Sequence, residues 1–391
     1  MENIPPLKIL FYHAHFFSSS ETFIYQQAIN PNIRPVLLAK RFINSAGMSY
    51  ETFERVQFKR SWWDGLVSNL LVSFGIDQYY QRASIHTLAK KIKTYQPDVL
   101  HAQFGFSAVR ILPVAKMLKI PLVVSFHGMD ASHMLRKRAY RNGLKKVFAY
   151  AAAIVVCNPA MADVLPLTAD QKRKVMWVPY GINLKQFNPQ PRKENEVLRI
   201  LHVGRFIEKK GVPDLIRAFS KLKNQQKIQL ELVGTGPEEK LCKQLVRELR
   251  LEQQVIFHGW KSSEEVKNLM QQADVFVLNS RVATNGDSEG LPVGILEAMS
   301  MALPVVSTNH AGIPHEVDHG ITGLLVAEHD TEGLTAAISA LLQDAPQRNE
   351  FGMAGRRKVE SVYSMEQMHN TLYTVYKNCC SSKAEMFLNQ N

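Results

Sequence analysis

Short apolar runs and longer stretches of helical period alternate along this chain. In the first half, residues 8–12 open as a strand, and similar runs recur at 35–38, 98–101, 122–126 and 153–157. Between them apolar positions return every three or four residues, as at 84–95 and 135–150. Strand and helix in alternation predict a parallel, doubly wound sheet. The pattern then restarts: residues 198–203 read as a new first strand, followed by 227–233, 255–258, 275–279 and 304–307. The polar, proline-bearing stretch 188–195 between the two series reads as a linker. The expectation is two α/β domains, 1–190 and 196–362, with a cleft between them and ligands beyond the C-terminal ends of the strands. Residues 364–377 read as a last helix with Met368, Leu372, Val375 and Tyr376 on one face. It either crosses back onto the first domain, as part of a 363–391 tail, or simply caps the second.

Composition agrees with this layout and adds one asymmetry. A chain of 391 residues with 46% hydrophobic content has enough apolar surface for two cores. No apolar run approaches the roughly 18 residues that span a bilayer. Residues 1–6 lack a basic n-region, and the four cysteines, at 157, 242, 379 and 380, have no metal-ligand or disulfide spacing. A cytoplasmic protein is expected. His13 and His15 flank a strand end, but two histidines make a poor metal site, so no metal is predicted. Residues 1–190 hold 24 Lys and Arg against 10 Asp and Glu, whereas the rest hold 23 against 25. The basic half therefore expects an anionic partner.

The chemistry-bearing window is Ser288-Glu289-Gly290-Leu291-Pro292-Val293-Gly294-Ile295-Leu296-Glu297. Pro292 suits the first turn of a helix, which would leave the amides of Gly290 and Leu291 and the helix N-terminus as an anion site. Glu289 before the helix and Glu297 within it could each accept two hydroxyl groups of one elongated ligand. A solvated helix face is the plain alternative. Gly204-Arg205-Phe206-Ile207-Glu208-Lys209-Lys210-Gly211 follows the first strand of the second series. Arg205 and Lys210 there could converge on a pyrophosphate, while a solvated basic loop is the bland reading. Gly234-Thr235-Gly236-Pro237 follows the next strand and is weak evidence alone.

Together, Glu289-x7-Glu297, Gly204-Arg205-x4-Lys210-Gly211, the Gly234–Pro237 loop and Ser307-Thr308-Asn309-His310-Ala311-Gly312-Ile313-Pro314 resemble a family-4 retaining glycosyltransferase. Ser125-Phe126-His127-Gly128-Met129-Asp130, Val156-Cys157-Asn158 and Val178-Pro179-Tyr180-Gly181-Ile182-Asn183 extend the resemblance into the first half. The loop Ser18-Ser19-Ser20-Glu21-Thr22 makes it most similar to colanic acid and amylovoran-type exopolysaccharide transferases. Ala302, where relatives carry Gly, and Asn183, where they carry Asp, depart from the pattern; the first loop lacks their Gly-Gly pair.

The resemblance implies a GT-B fold of two Rossmann-like domains and a nucleotide-diphosphate sugar as co-substrate, with no other cofactor. It implies that Glu297 holds the ribose and Glu289 the donor sugar, that Arg205 and Lys210 neutralise the leaving diphosphate, and that Gly290, Leu291, Gly234, Gly236, Gly259 and Trp260 line the donor. His127 would approach the transferring sugar, or else be a satisfied strand-end histidine. Ser20, Glu21 and Asn158 would face the acceptor, a saccharide carried on a lipid. The segment 134–148 reads as a basic amphipathic helix, Arg136, Lys137, Arg138, Arg141, Lys145 and Lys146 interleaving with apolar residues. It fits an anionic inner membrane surface, aided by Trp62 and Trp63, with an ordinary amphipathic surface helix as the alternative. Nucleic acid is not expected, because no recognition module accompanies the charge. A silent nucleotide-sugar-binding partner subunit and a hydrolysing epimerase share the expected fold. The four charged positions 205, 210, 289 and 297 favour a transferase over both.

Overall fold

The computed structural model describes residues 6–16, 21–43, 53–57, 82–191, 196–222 and 227–388. The chain forms two compact units, one of Met1–Gly181 with Glu366–Asn391, the other of Ile182–Met365. In the first unit the strands are β1 (Leu7–Tyr12), β2 (His15–Phe16), β3 (Ile33–Ala39), β4 (Arg41–Phe42), β5 (Glu54–Gln57), β6 (Val99–Gln103), β7 (Leu122–Phe126), β8 (Ala153–Val156) and β9 (Val175–Trp177). Seven of them make one parallel sheet in the order β5-β3-β1-β6-β7-β8-β9, with β2 and β4 paired apart. β6, β7 and β8 are buried along their whole length, as strands covered by helices on both faces must be.

The second unit repeats the design with β10 (Leu198–Val203), β11 (Ile228–Val233), β12 (Val255–Gly259), β13 (Val275–Leu278), β14 (Val305–Thr308) and β15 (Gly323–Val326). All pair in parallel, in the order β12-β11-β10-β13-β14-β15. Counted from its own first strand this is 3-2-1-4-5-6, the doubly wound order of dinucleotide-binding domains. The winding reverses between β10 and β13, and in the first unit between β1 and β6. Those two switch points are where such sheets open a crevice.

The long strands lie within a residue or two of their expected positions. Five short strands escaped the pattern, β2 and β4 because they are only two residues each. β5 reads Glu-Arg-Val-Gln at a sheet edge, β9 has three residues, and β15 begins with Gly. The last helix, Met365–Leu388, is longer than expected and belongs to the first unit. Met368, Leu372, Val375 and Tyr376 are all buried, and the Tyr376 hydroxyl lies 2.7 Å from His101 Nδ1. The chain's two crossings run side by side, with Ile182 N–H donating to Tyr363 O and Met365 N–H to Ile182 O. Part of the proline-bearing stretch lies along the second unit, Gln190 and Gln271 exchanging two hydrogen bonds, and residues 192–195 lie outside the described residues.

The basic segment differs from its expectation. Residues His133–Arg136 form a 3-10 turn, Lys137 is extended, and the α-helix runs only over Arg138–Tyr150. Its apolar residues Tyr140, Leu144, Val147 and Phe148 are buried in the first unit's core. An apolar face committed to the core cannot also enter a bilayer, so only the cationic face is presented. Trp62 and Trp63 lie outside the described residues.

Candidate active site

Three loops at the C-terminal edge of the second sheet are stitched to one another by backbone hydrogen bonds. Gly204 N–H donates to Val233 O, Phe206 N–H to Thr235 O, and Gly234 N–H to Gly259 O. Glycine is required where the loops after β10 and β11 touch. A Cβ on Gly234, whose φ is +129°, would sit 1.9 Å from Gly204 O, and one on Gly236 2.4 Å from Phe206 O. These two glycines thus shape the floor of the site by close packing. Gly211 has φ +63° and abuts Asn279, which holds the start of the helix Val212–Ser220 against the end of β13. At the end of β12, Gly259 turns the chain and leaves Trp260 58% exposed beside this edge.

Glu289 lies in the long loop after β13 and is 9% exposed. Its carboxylate takes an ion pair from Lys210 Nζ at 2.8 Å, with Lys209 Nζ at 4.0 Å and the Ser280 hydroxyl donating at 3.3 Å. Burial opposes ionisation, but the charges of Lys210 and Lys209 overcome it and bring the carboxyl down to about 2. Glu297 sits inside the helix Val293–Ser300, and its carboxyl has no hydrogen bond or ion pair among the described residues. Burial without a cation raises its carboxyl to about 7. The helix begins at Val293, with Pro292 at the N-cap rather than in the first turn, so Gly290 and Leu291 lie in the approach loop. Arg205 is exposed, and its guanidinium has no partner among the described residues. Lys210 and Glu289 thus pair across the β10/β13 switch point, with Arg205 in the loop after β10 and Glu297 in the helix after β13.

Several residues here were not singled out from the sequence. Lys209 bridges to Asp287 at 3.1 Å and donates to Ser288 O, tying the Arg205 loop to the Glu289 loop. Its only signal was adjacency to Lys210. His310 belongs to a motif segment to which no role was assigned. It contacts the Glu289 backbone and Glu328. Glu316 is fully buried with both oxygens unpartnered among the described residues, and burial together with nearby Glu289 raises its carboxyl well above the usual range. Nothing in the sequence marks it.

In the first unit, His127 follows β7 and is buried. Its Nε2 lies 2.8 Å from Gln103 Oε1 and its Nδ1 2.9 Å from the Tyr180 hydroxyl. Because Gln103 Nε2 donates to Gln27 Oε1, Gln103 Oε1 is the acceptor. His127 therefore carries its proton on Nε2 and accepts from Tyr180 on Nδ1. Burial holds its pKa well below the usual value. Asp130 organises the loop by accepting from the backbone N–H groups of Gly105, His127 and Gly128. Glu21 is 3.4 Å from His13 Nε2 at the start of the helix Thr22–Ala28. Asn158 is buried and receives Met161 N–H, closing a short turn. Ser20 lies outside the described residues. Among the described residues no group of three or more His, Cys, Asp or Glu side chains could hold a metal ion, and no helix is long and apolar enough to cross a membrane.

Two Rossmann-like units with a charged cluster at the second switch point define an α/β transferase of the GT-B type. Comparison with known proteins agrees. The family model for Glycosyl transferases group 1 matches residues 185–358, and that for Glycosyltransferase Family 4 matches residues 54–186. The amylovoran biosynthesis glycosyltransferase AmsK of Erwinia amylovora is 31% identical over 310 residues, which cover 77% of this chain and 76% of AmsK. WcaL of Escherichia coli (strain K12), provisionally assigned as a colanic acid biosynthesis glycosyltransferase, is 31% identical over 283 residues, 71% of this chain and 70% of WcaL. The crystal structure of Anabaena HepE with UDP and glucose superposes with a TM-score of 0.77, covering 95% of this chain and 99% of HepE at 16% identity. The chain belongs to the group 1, family 4 glycosyltransferases, and its fold is GT-B.

Proposed function

We propose that this glycosyltransferase moves a hexose, with retention, from a nucleotide-diphosphate sugar to a saccharide acceptor carried on a polyprenyl diphosphate. The pathway would be bacterial exopolysaccharide, capsule or lipopolysaccharide synthesis, at the inner face of the plasma membrane. The observation that carries the reading is the Lys210–Glu289 ion pair beside an unengaged Arg205 at the β10/β13 switch point. HepE, which shares this fold, was crystallised in complex with UDP and glucose, which supports a nucleotide-sugar donor. The relation to AmsK supports the pathway.

The chemistry follows from charge. Transfer passes through an oxocarbenium-like transition state while negative charge develops on the departing diphosphate. Arg205, Lys210 and the N-terminus of the helix Val293–Ser300 would stabilise that charge. A carboxyl held at about 2 by two lysines stays ionised at neutral pH, so Glu289 neither donates nor takes a proton there. It is suited to accept hydroxyls of the donor sugar, and Glu297 those of the ribose. Leaving-group stabilisation by fixed cations needs no metal. Retaining glycosidases use a carboxylate nucleophile. The ion-paired Glu289 is a poor one, so attack from the face of the leaving group fits better. His127 already uses both ring nitrogens, so a direct contact with sugar would cost one of those bonds. The first unit, with Glu21 and Asn158, would take the acceptor.

The test is sugar transfer by purified protein over a panel of UDP- and GDP-sugars. Glu289→Ala and Arg205→Ala should each lower kcat/KM by roughly 10²–10³-fold, as loss of a charge-stabilising group does. Unchanged transfer in either variant would overturn the site.

A further inference from the structure

His310 follows β14, is 1% exposed and is held from both sides. Its Nδ1 lies 2.7 Å from Glu328 Oε1, and its Nε2 lies 3.2 Å from the backbone nitrogen of Glu289 and 3.1 Å from the Ser288 hydroxyl. A backbone N–H can only donate, so Nε2 must be the unprotonated nitrogen. The ring proton then sits on Nδ1, where the Glu328 carboxylate accepts it. Glu328 uses its other oxygen, Oε2, to receive Val282 N–H at 2.9 Å, so one carboxylate spans the loops after β13 and β14.

We propose that His310, oriented by Glu328, is a positioning residue for the donor sugar: it fixes the backbone of Glu289 and thereby the carboxylate that meets the sugar hydroxyls. This rests on the reading of Glu289 given above. The rest of the loop has separate anchors. Thr308 Oγ1 donates to Ser280 O, Thr284 N–H to the Glu208 carboxylate at 2.9 Å, and Lys209 to Ser288 O at 3.3 Å. At Glu289 itself, His310 is the one backbone acceptor among the described residues. Loss of His310 should therefore loosen Glu289 locally and leave the fold and the diphosphate contacts in place.

The test is calorimetric binding of UDP-glucose against UDP, and of GDP-mannose against GDP, followed for whichever sugar nucleotide the wild-type protein binds. His310→Ala should weaken the sugar nucleotide about tenfold, the scale of one well-placed hydrogen bond to a charged site, and leave the free diphosphate within about twofold. His310→Gln, whose amide oxygen can replace Nε2 as acceptor, should recover most of the loss. In a Glu289→Ala background, His310→Ala should add nothing further. Equal losses for sugar nucleotide and free diphosphate, no recovery with Gln, or full additivity with Glu289→Ala would each overturn the inference. Should His310→Ala fail to fold, Glu328→Gln supplies the same comparison, with about threefold expected on the sugar nucleotide alone and an equal loss on both ligands counting against it. Glu289→Ala without effect on the sugar nucleotide would refute the reading of Glu289 instead, a separate result. Failure of the wild-type protein to bind either sugar nucleotide would sink both.

Discussion

Burial pushes both site carboxyls up, and they part according to whether a cation shares the burial. Glu289, beside Lys210 and Lys209, is lowered to about 2, whereas Glu297, with none, is raised to about 7. For Glu289 the folded state releases its proton more readily than the unfolded chain. It contributes stability above about pH 4.5 that is lost as the pH falls toward 2. Glu297 behaves oppositely. Below about pH 4.5 it is protonated in both states, and stability is lost as the pH rises from there through 7. Glu297→Gln should therefore match the wild type near pH 4 and exceed it at pH 8 by on the order of 1–3 kcal/mol, measured by urea unfolding across that range. A constant difference at all pH values would show that Glu297 is not held protonated. The residue types and spacing of this pair were legible in the sequence. The opposed proton affinities were not, because they depend on Lys209 and Lys210 arriving from another loop. Ala302 shows the same limit. Its φ of +53° lies in the left-handed region that favours Gly, and spacing alone could not reveal that backbone angle.

At the scale of the element, the helix Arg138–Tyr150 carries the lesson. Its period and charge were readable, but which of its faces stayed open was not. Tyr140, Leu144, Val147 and Phe148 went into the core, leaving Arg138 and Lys145 exposed along with Arg136 and Lys137 of the preceding turn. Membrane contact would then be adsorption by charge rather than insertion. The protein should co-sediment with vesicles containing phosphatidylglycerol at low salt and release at roughly 0.5 M salt, where screening is strong. Combined Arg138→Glu and Lys145→Glu should weaken that binding at least tenfold, at about 1 kcal/mol per charge. Salt-insensitive binding, or binding unaffected by both changes, would remove the helix as the contact.

The molecule as a whole is two sheets of one design, but the chain is not divided simply into front and back halves. Its last helix returns to the first unit, where Met368, Leu372, Val375 and Tyr376 are buried. Removing everything after residue 365 would strip on the order of 6–12 kcal/mol of apolar burial from the first unit, comparable with the entire stability of a domain. Calorimetry of the truncated chain should show one melting transition lost or lowered by more than 10 °C and the other kept. Two unchanged transitions would mean that the helix is dispensable.

Periodicity, turn residues and motif spacing sufficed to define two doubly wound units and to set the long strands within a residue or two, and they nominated Arg205, Lys210, Glu289 and Glu297 as candidates. These signals are local, carried by neighbours two to four positions apart or by loops that must follow strands. The tertiary structure alone decided that β10 lies beside β13, and hence that Lys210 pairs with Glu289, 79 positions further along the chain. It also decided that His310 meets the Glu289 backbone, that the Glu316 carboxyl is buried with no partner among the described residues, and that the last helix packs on the first unit. Each of these is a contact between segments far apart in the chain. Strand order and packing determine such contacts, and no short-range pattern encodes them.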